Sequence, residues 1–314
     1  MNNSSTKKHW LTWPVFYELT ELYTAFLNIF WFALATAITQ FIWGHVNWQN
    51  VLLCFIDIFI FNLAANSADD YYDYLHALDR KDYAKKINII GRKNLPLNGV
   101  RAFFWGLFIL SAIPGIFLVQ NTNWRVLVLG IIGYALGIFY TAGPHPINST
   151  PISSLVSTFT ISYYIQLIVI YVSVFKFVPL TWGFAGEVFL LCLPQTLIFF
   201  LMQLGNDCCD KEVDERNHRF TLAHYIGKKN SITLIKCAVI LGPIWSVVNV
   251  LLHIAPPITA LSVLTLPIIW HGLQPFFNNP DKKKTFMLVF KYMSIFFFTY
   301  TLTFMLGAWI PALH

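Results

Sequence analysis

The sequence predicts an all-α, polytopic membrane protein with about nine transmembrane helices. Three observations predict it: the composition, the recurrence of long apolar segments, and the side on which basic residues fall between them. Of the 314 residues, 56% are hydrophobic and only 11% are charged. Soluble domains carry roughly 25% charged residues, and a soluble core could not hide this many Phe, Ile, Leu and Trp side chains.

A spanning helix needs about 20 mostly apolar residues. Nine segments qualify: 20–43, 50–66, 101–120, 124–143, 152–175, 185–205, 231–252, 257–276 and 288–310. Backbone groups in lipid must bond within their own segment, so each is expected to be a helix. Pro151, Pro194, Pro243 and Pro267 lie in or beside these spans, where kinks are tolerated. The opening stretch MNNSSTKKHWLTWP is polar, and the apolar run after it is too long for a cleaved signal. Residues 1–19 therefore read as a cytoplasmic tail, and 1–314 as a single membrane-embedded domain.

Charge placement tests the span count. With the N-terminus in the cytoplasm, Lys7 and Lys8 are inside, as are Arg80, Lys81, Lys85, Lys86, Arg92, Lys93 and Arg101 between the second and third spans. Lys211, Arg216, Arg219, Lys228, Lys229 and Lys236 are inside between the sixth and seventh spans, and Lys282, Lys283, Lys284 and Lys291 between the last two. Of the 21 basic residues only Arg125 and Lys176 fall outside. That asymmetry predicts a plasma-membrane protein with its N-terminus in the cytoplasm and its C-terminus outside. The net charge of +6 is accounted for by an anionic membrane surface, not by nucleic acid. Five Cys without a CxxC pair suggest neither a zinc site nor a disulfide framework.

Two inside connections, 67–100 and 206–230, are long and rich in both signs of charge. The first opens on NSADDYYDYLHALD, with Asn66, Asp69, Asp70, Asp73 and Asp79; the second on NDCCDKEVDERNHRFTL, with Asn206, Asp207, Asp210 and Asp214. Residues three or four apart share a helix face. Asp70 and Asp73 are so spaced, as are Asp207 and Asp210, and Asn206, Asp210 and Asp214 step by four. Stacked like charges repel unless a cation joins them. Mg²⁺ takes one or two carboxylates and fills its shell with water and phosphate oxygens, so two such clusters fit a diphosphate held through Mg²⁺. Arg92, Lys93, Arg219 and Lys228 lie near the clusters as candidate diphosphate contacts.

These motifs resemble the two aspartate-rich motifs of the UbiA superfamily of intramembrane prenyltransferases, whose core is Asn-Asp-x-x-Asp. DYYDY with Asp79 further on, GRKNLPLNG, YTAGPHPI at 140–147 and RFTLAHYIG are similar to the branch that prenylates 1,4-dihydroxy-2-naphthoate. The likeness covers nearly the whole chain. Asp69 stands where the family usually has Asn, with Asn66 one turn earlier, and Ala77 stands where Gly is usual. The resemblance implies a ring of helices around a central cavity, capped on the cytoplasmic side by the two polar connections. It also implies Mg²⁺-dependent transfer of a polyprenyl group from an allylic polyprenyl diphosphate to an aromatic acceptor, within membrane lipid.

On that basis Asp70, Asp73, Asp207 and Asp210 are the expected catalytic carboxylates, and Asp69, Asp214, Asn66 and Asn206 complete the expected metal set. Tyr71, Tyr72 and Tyr140 fit core packing better than catalysis, and His145 and His224 fit hydrogen-bonded roles. Other acceptors within the superfamily are 4-hydroxybenzoate, haem or a lipid phosphate. A secondary transporter is the rival from another class, but transporters place ionisable groups near the midplane. Here the spans are almost free of acids apart from Glu21, Asp57 and Glu187, which lie near ends or alone, and the acids gather at one membrane face instead.

Overall fold

The computed structural model describes residues 10–310, and among these there is no strand. The α-helices are α1 (Trp13–Leu19), α2 (Leu22–Ala25), α3 (Asn28–Trp43), α4 (Trp48–His76), α5 (Ile89–Arg92), α6 (Leu97–Asn121) and α7 (Trp124–Thr141). They continue as α8 (Ser153–Thr158), α9 (Ile165–Val174), α10 (Trp182–Arg216), α11 (Leu222–Leu251), α12 (Thr265–Gly272), α13 (Gln274–Asn278) and α14 (Phe286–Trp309). A π-segment, Phe159–Tyr164, joins α8 to α9 in one apolar run, Ser153–Val174.

Among the described residues, eight helices are long and apolar enough to cross a bilayer, which makes this a multi-pass membrane protein. The expected span 257–276 is the exception. It is a 3₁₀ segment, Pro257–Leu264, followed by the short helices α12 and α13. Pro257, Pro267 and Pro275 fall at or near the starts of these three short elements, where a missing backbone donor is tolerated. The 3₁₀ segment packs between α11 and α14.

α4 has 29 residues and α10 has 35. At ~1.5 Å per residue they run roughly 44 and 52 Å, well beyond the ~30 Å hydrocarbon core. The helical spacing read from the acidic clusters is met by the projecting last turns of two spanning helices, with Asp79 alone lying beyond the end of α4. The extension of α4 is held by packing. Tyr71 is buried, with its ring 5.2 Å from Phe104 on α6, and Ala64, Ala68, Ile89, Ile90 and Val100 complete that core. Val15 and Leu19 of α1 join it too, so residues 13–19 of the expected tail form a docked helix. Lys7 and Lys8 lie outside the described residues.

The larger core is centred on Trp31 of α3, whose ring meets Phe199 of α10 at 5.3 Å and Phe297 of α14 at 4.9 Å. α10 and α11 pack along their lengths. A Cβ on Gly242 would stand 2.9 Å from Ile198 and 3.1 Å from the Pro194 carbonyl, so glycine sets that close approach. At the end away from the clusters, Asn47, Asn123 and Thr181 each accept a hydrogen bond from a first-turn backbone N–H of α4, α7 and α10.

Candidate active site

The two acidic clusters come together at the same end of the bundle, joined by Arg219. Its Nη1 donates to Asp73 Oδ2 at 2.5 Å, and its Nε lies 3.6 Å from Asp214 Oδ1. The arginine sits in the turn between α10 and α11, placed by its own N–H bond to the Asp214 carbonyl and by His218 in a left-handed conformation with φ 57°. Burial works against its charge, but Asp73, Asp214 and Asp69 outweigh burial and hold the guanidinium well above its ordinary pKa. Asn217 ties the same turn to the end of α4 by accepting from the backbone N–H groups of Leu78 and Asp79, at 3.1 Å each.

Several partners of the acids were missed by sequence reasoning. Asn148, in a 3₁₀ turn directly after YTAGPHPI, donates to Asp69 at 3.1 Å and to Asp73 at 3.4 Å. Its position after that motif was the available signal. Tyr83, in a π-turn, donates to Asp73 at 3.0 Å; burial and the Asp73 charge keep its hydroxyl protonated far above the usual tyrosine range. Asn88 donates to the Asp70 carbonyl at 2.9 Å, and Ser153 reaches Asp207 at 3.4 Å. Lys282, from the short connection before α14, donates to Asp210 at 2.6 Å and also to Asn206. Glu21 holds a left-handed conformation at φ 43° between α1 and α2. Its carboxylate interacts electrostatically with Lys282 and with Asp70.

Other expected residues are engaged differently. Arg92 and Lys93 both pair with Glu18 of α1, Lys93 at 2.6 Å. Burial pushes the Glu18 carboxyl up, but hydrogen bonds from Lys93 and Arg92 outweigh it and hold it below the usual range. Lys228 pairs with Glu212 at 2.8 Å. In this structure those charges serve α1 and α10, and among the described residues Arg219 and Lys282 are the cations paired with the cluster carboxylates. Asn66 spends its amide nitrogen on the Thr20 carbonyl and Thr24 Oγ1, both at 2.9 Å, which leaves its carbonyl oxygen for other use. Asp79 bonds the Asp82 N–H at 2.9 Å and so braces a turn. Tyr71 and Tyr72 pack as expected, and His224 bonds Glu215 at 2.8 Å.

An apolar cavity of about 700 Å³ reaches from Asp69 into the membrane span between α4, α6, α7 and the α8–α9 run. Tyr140, Thr141 and Ser157 line it together with Asp69. One wall is a single face of α4, where Asp57, Phe61, Ala65 and Asp69 recur at four-residue steps. The π-segment supplies the opposite wall, a place where such irregularities often serve function. A second, polar pocket of about 440 Å³ shares Asp73 and Arg219 and is lined also by His145, Asn148, His218 and Phe220.

Among the described residues no three His, Cys, Asp or Glu side chains converge as a cage for a bare ion. A hard cation that keeps its waters and bridges to phosphate needs only one or two carboxylates, and that fits the pairs here. The buried Arg219 Nε has no hydrogen-bond partner, which suits an incoming phosphate oxygen.

A long-helix bundle with two acidic clusters over an apolar cavity defines a class of intramembrane enzyme, and sequence comparison identifies it. The model of the UbiA prenyltransferase family matches residues 22–310, so the chain belongs to that family of membrane prenyltransferases. Among curated relatives, it is 24% identical to the 1,4-dihydroxy-2-naphthoate octaprenyltransferase of Bacillus subtilis (strain 168) over 217 residues, 69% of this chain and 68% of that protein. Solved structures share the fold. A UbiA homologue from Aeropyrum pernix K1 matches with TM-score 0.65 and 14% identity, over 88% of this chain and 98% of that one. A UbiA homologue from Archaeoglobus fulgidus bound to GPP and Mg²⁺ matches with TM-score 0.61 and 10% identity, over 92% and 99%.

Proposed function

We propose that this prenyltransferase moves a polyprenyl group from an allylic polyprenyl diphosphate to 1,4-dihydroxy-2-naphthoate, with loss of the ring carboxylate, to give demethylmenaquinol, the reduced form of demethylmenaquinone. The observation that carries the reading is the apolar cavity that reaches Asp69, between two acidic clusters spanned by Arg219. A tail in that cavity puts its diphosphate between the clusters. The Bacillus relative's acceptor supports the choice of naphthoate, and the Archaeoglobus complex supports Mg²⁺ with a prenyl diphosphate.

Asp70, Asp73, Asp207, Asp210 and Asp214 would hold Mg²⁺, with Asp69, Asn66 and Asn206 beside them. When bound, Mg²⁺ supplies neutralisation of charge on the diphosphate oxygens. Arg219 adds a fixed donor where charge grows as the allylic C–O bond breaks and the diphosphate keeps the electron pair. Tyr83 and Asn148 hold Asp73 and Asp69 in position. The dry cavity keeps water from the allylic cation. The acceptor ring then forms the new C–C bond at the carbon bearing the carboxylate. CO₂ leaves, its bonding pair returns to the ring, and no base is required. The pocket lined by Asp73, His145 and Arg219 is our candidate site for the aromatic acid.

The test is purified protein with Mg²⁺, a labelled prenyl diphosphate and a panel of 1,4-dihydroxy-2-naphthoate, 4-hydroxybenzoate and haem. Carboxyl-labelled naphthoate should release one labelled CO₂ per prenylated product. Turnover of another acceptor in its place overturns the naphthoate assignment.

A further inference from the structure

Deep in the cavity the wall of α4 carries one more carboxylate. Asp57 lies on the cavity face that holds Asp69, and at ~1.5 Å per residue it is roughly 18 Å further into the membrane span. Its Oδ1 accepts from Tyr134 Oη on α7 at 2.7 Å, and that hydroxyl meets Ser111 Oγ on α6 at 2.7 Å. Its Oδ2 has no hydrogen-bond partner among the described residues. A Cβ added at Gly115 would stand 2.8 Å from this oxygen, so α6 is shaped around it. An ionisable group inside a membrane span is costly and calls for a function. Tying three helices together does not require a charge, because an amide accepts from tyrosine equally well.

We propose that Asp57 is a specificity-determining residue that limits how many isoprene units the cavity takes up, an inference that rests on the prenyl-transfer reading above. The four-carbon repeat of an isoprene unit is roughly 5 Å long when extended, at ~1.5 Å per carbon–carbon bond. Three to four units therefore fill the stretch from Asp69 to Asp57. Up to that point hydrocarbon meets a mostly apolar wall in which Asn62, Asn66 and Thr160 are neutral polar exceptions. The next unit covers Oδ2 with hydrocarbon and strips its water with nothing to replace the lost hydrogen bond. Tails with more units leave the cavity for the bilayer above Asp57. Tyr134 softens the penalty by holding the other oxygen.

The experiment measures kcat/KM for prenyl diphosphates of two to eight units, together with binding of the matching unreactive thiolodiphosphates. Two variants are compared with the native protein. Asp57→Asn keeps an acceptor for Tyr134 and removes the charge. It should raise the preference for five units over three by ~10-fold, the scale of removing one buried charge penalty. Tyr134→Phe removes the donor and keeps the charge, and should shift the same ratio the opposite way. Ratios that match the native protein in both variants overturn the proposal, as does a loss that is equal at every chain length, which marks a purely structural tie. Absence of turnover and binding with every prenyl diphosphate in the native protein refutes the prenyl-transfer reading itself. Normal turnover with unshifted ratios refutes only the role of Asp57.

Discussion

Replacing Arg219 with Gln should uncouple the two acidic clusters. In the native structure Arg219 is the cation between Asp73 and Asp214, and its side chain is only 23% exposed, against 14% and 11% for its partners. Removing one member of a largely buried ion pair costs ~3–5 kcal/mol, because the carboxylates are left without their counter-charge. Partial exposure places this site at the lower end. That loss should appear as a lower unfolding temperature in detergent without divalent cation. Added Mg²⁺ should return a large part of it, because the cation binds the same carboxylates in the folded state only. Turnover should not follow stability. The lost guanidinium was aimed at charge that grows on the departing diphosphate, and loss of such a contact costs ~10²–10³-fold in kcat. The assay is thermal unfolding with and without Mg²⁺, alongside single-turnover prenyl transfer at saturating Mg²⁺. An Arg219→Gln protein with native turnover would refute the assignment of Arg219 to the diphosphate.

Three further outcomes follow from the same geometry. Asp70→Ala and Asp210→Ala should each stay folded and lose at least ~100-fold in turnover, measured beside Asp82→Ala as the surface control. Asp281 is unsuitable as that control because it accepts from the backbone N–H groups of Lys283 and Lys284, at 2.9 and 2.8 Å, and braces the approach to α14. Chelation should abolish prenyl transfer and Mg²⁺ should restore it, and full activity in excess chelator would sink the cation-bridged diphosphate. Accessibility tags at residues 90 and 220 should report cytoplasm and a tag after His314 the outside; a cytoplasmic C-terminus would show that the broken segment around Pro257 does not cross.

The apolar spans were legible because bilayer thickness imposes a length on them, and the clusters because carboxylates repeat at helical spacing. The fate of 257–276 was harder to read. Hydropathy registers the residues of that stretch as apolar whether they build an α-helix or, with prolines at 257, 267 and 275, a 3₁₀ turn and two short helices. The cations were half legible. Sequence proximity placed Arg92, Lys93 and Lys228 beside the acids, but folding carries the first two onto Glu18, which belongs to a helix within the expected cytoplasmic tail. Lys282 could not be singled out from the run 282–284, because only the path of the chain before α14 decides which of those lysines meets Asp210.

Length is what lets one helix serve both halves of the proposed chemistry. α4 continues through the bilayer and then projects past it, so the same face that is apolar wall at Phe61 and Ala65 becomes polar lining at Asp69 and then the Arg219-bound edge at Asp73. A break at the membrane surface would let the cluster and the wall move independently. The continuous helix fixes them within an ångström-scale register instead, and the packing of Tyr71 on Phe104 keeps the projecting turns from fraying. A reaction that must hold a diphosphate in a polar site while its tail stays in hydrocarbon needs that fixed offset, because a misplacement of about 1 Å at the reacting carbon already costs ~100-fold. A helix-breaking change at Ala68, fully within this packed stretch, should therefore damage catalysis through register even though Ala68 touches neither the diphosphate nor the ring.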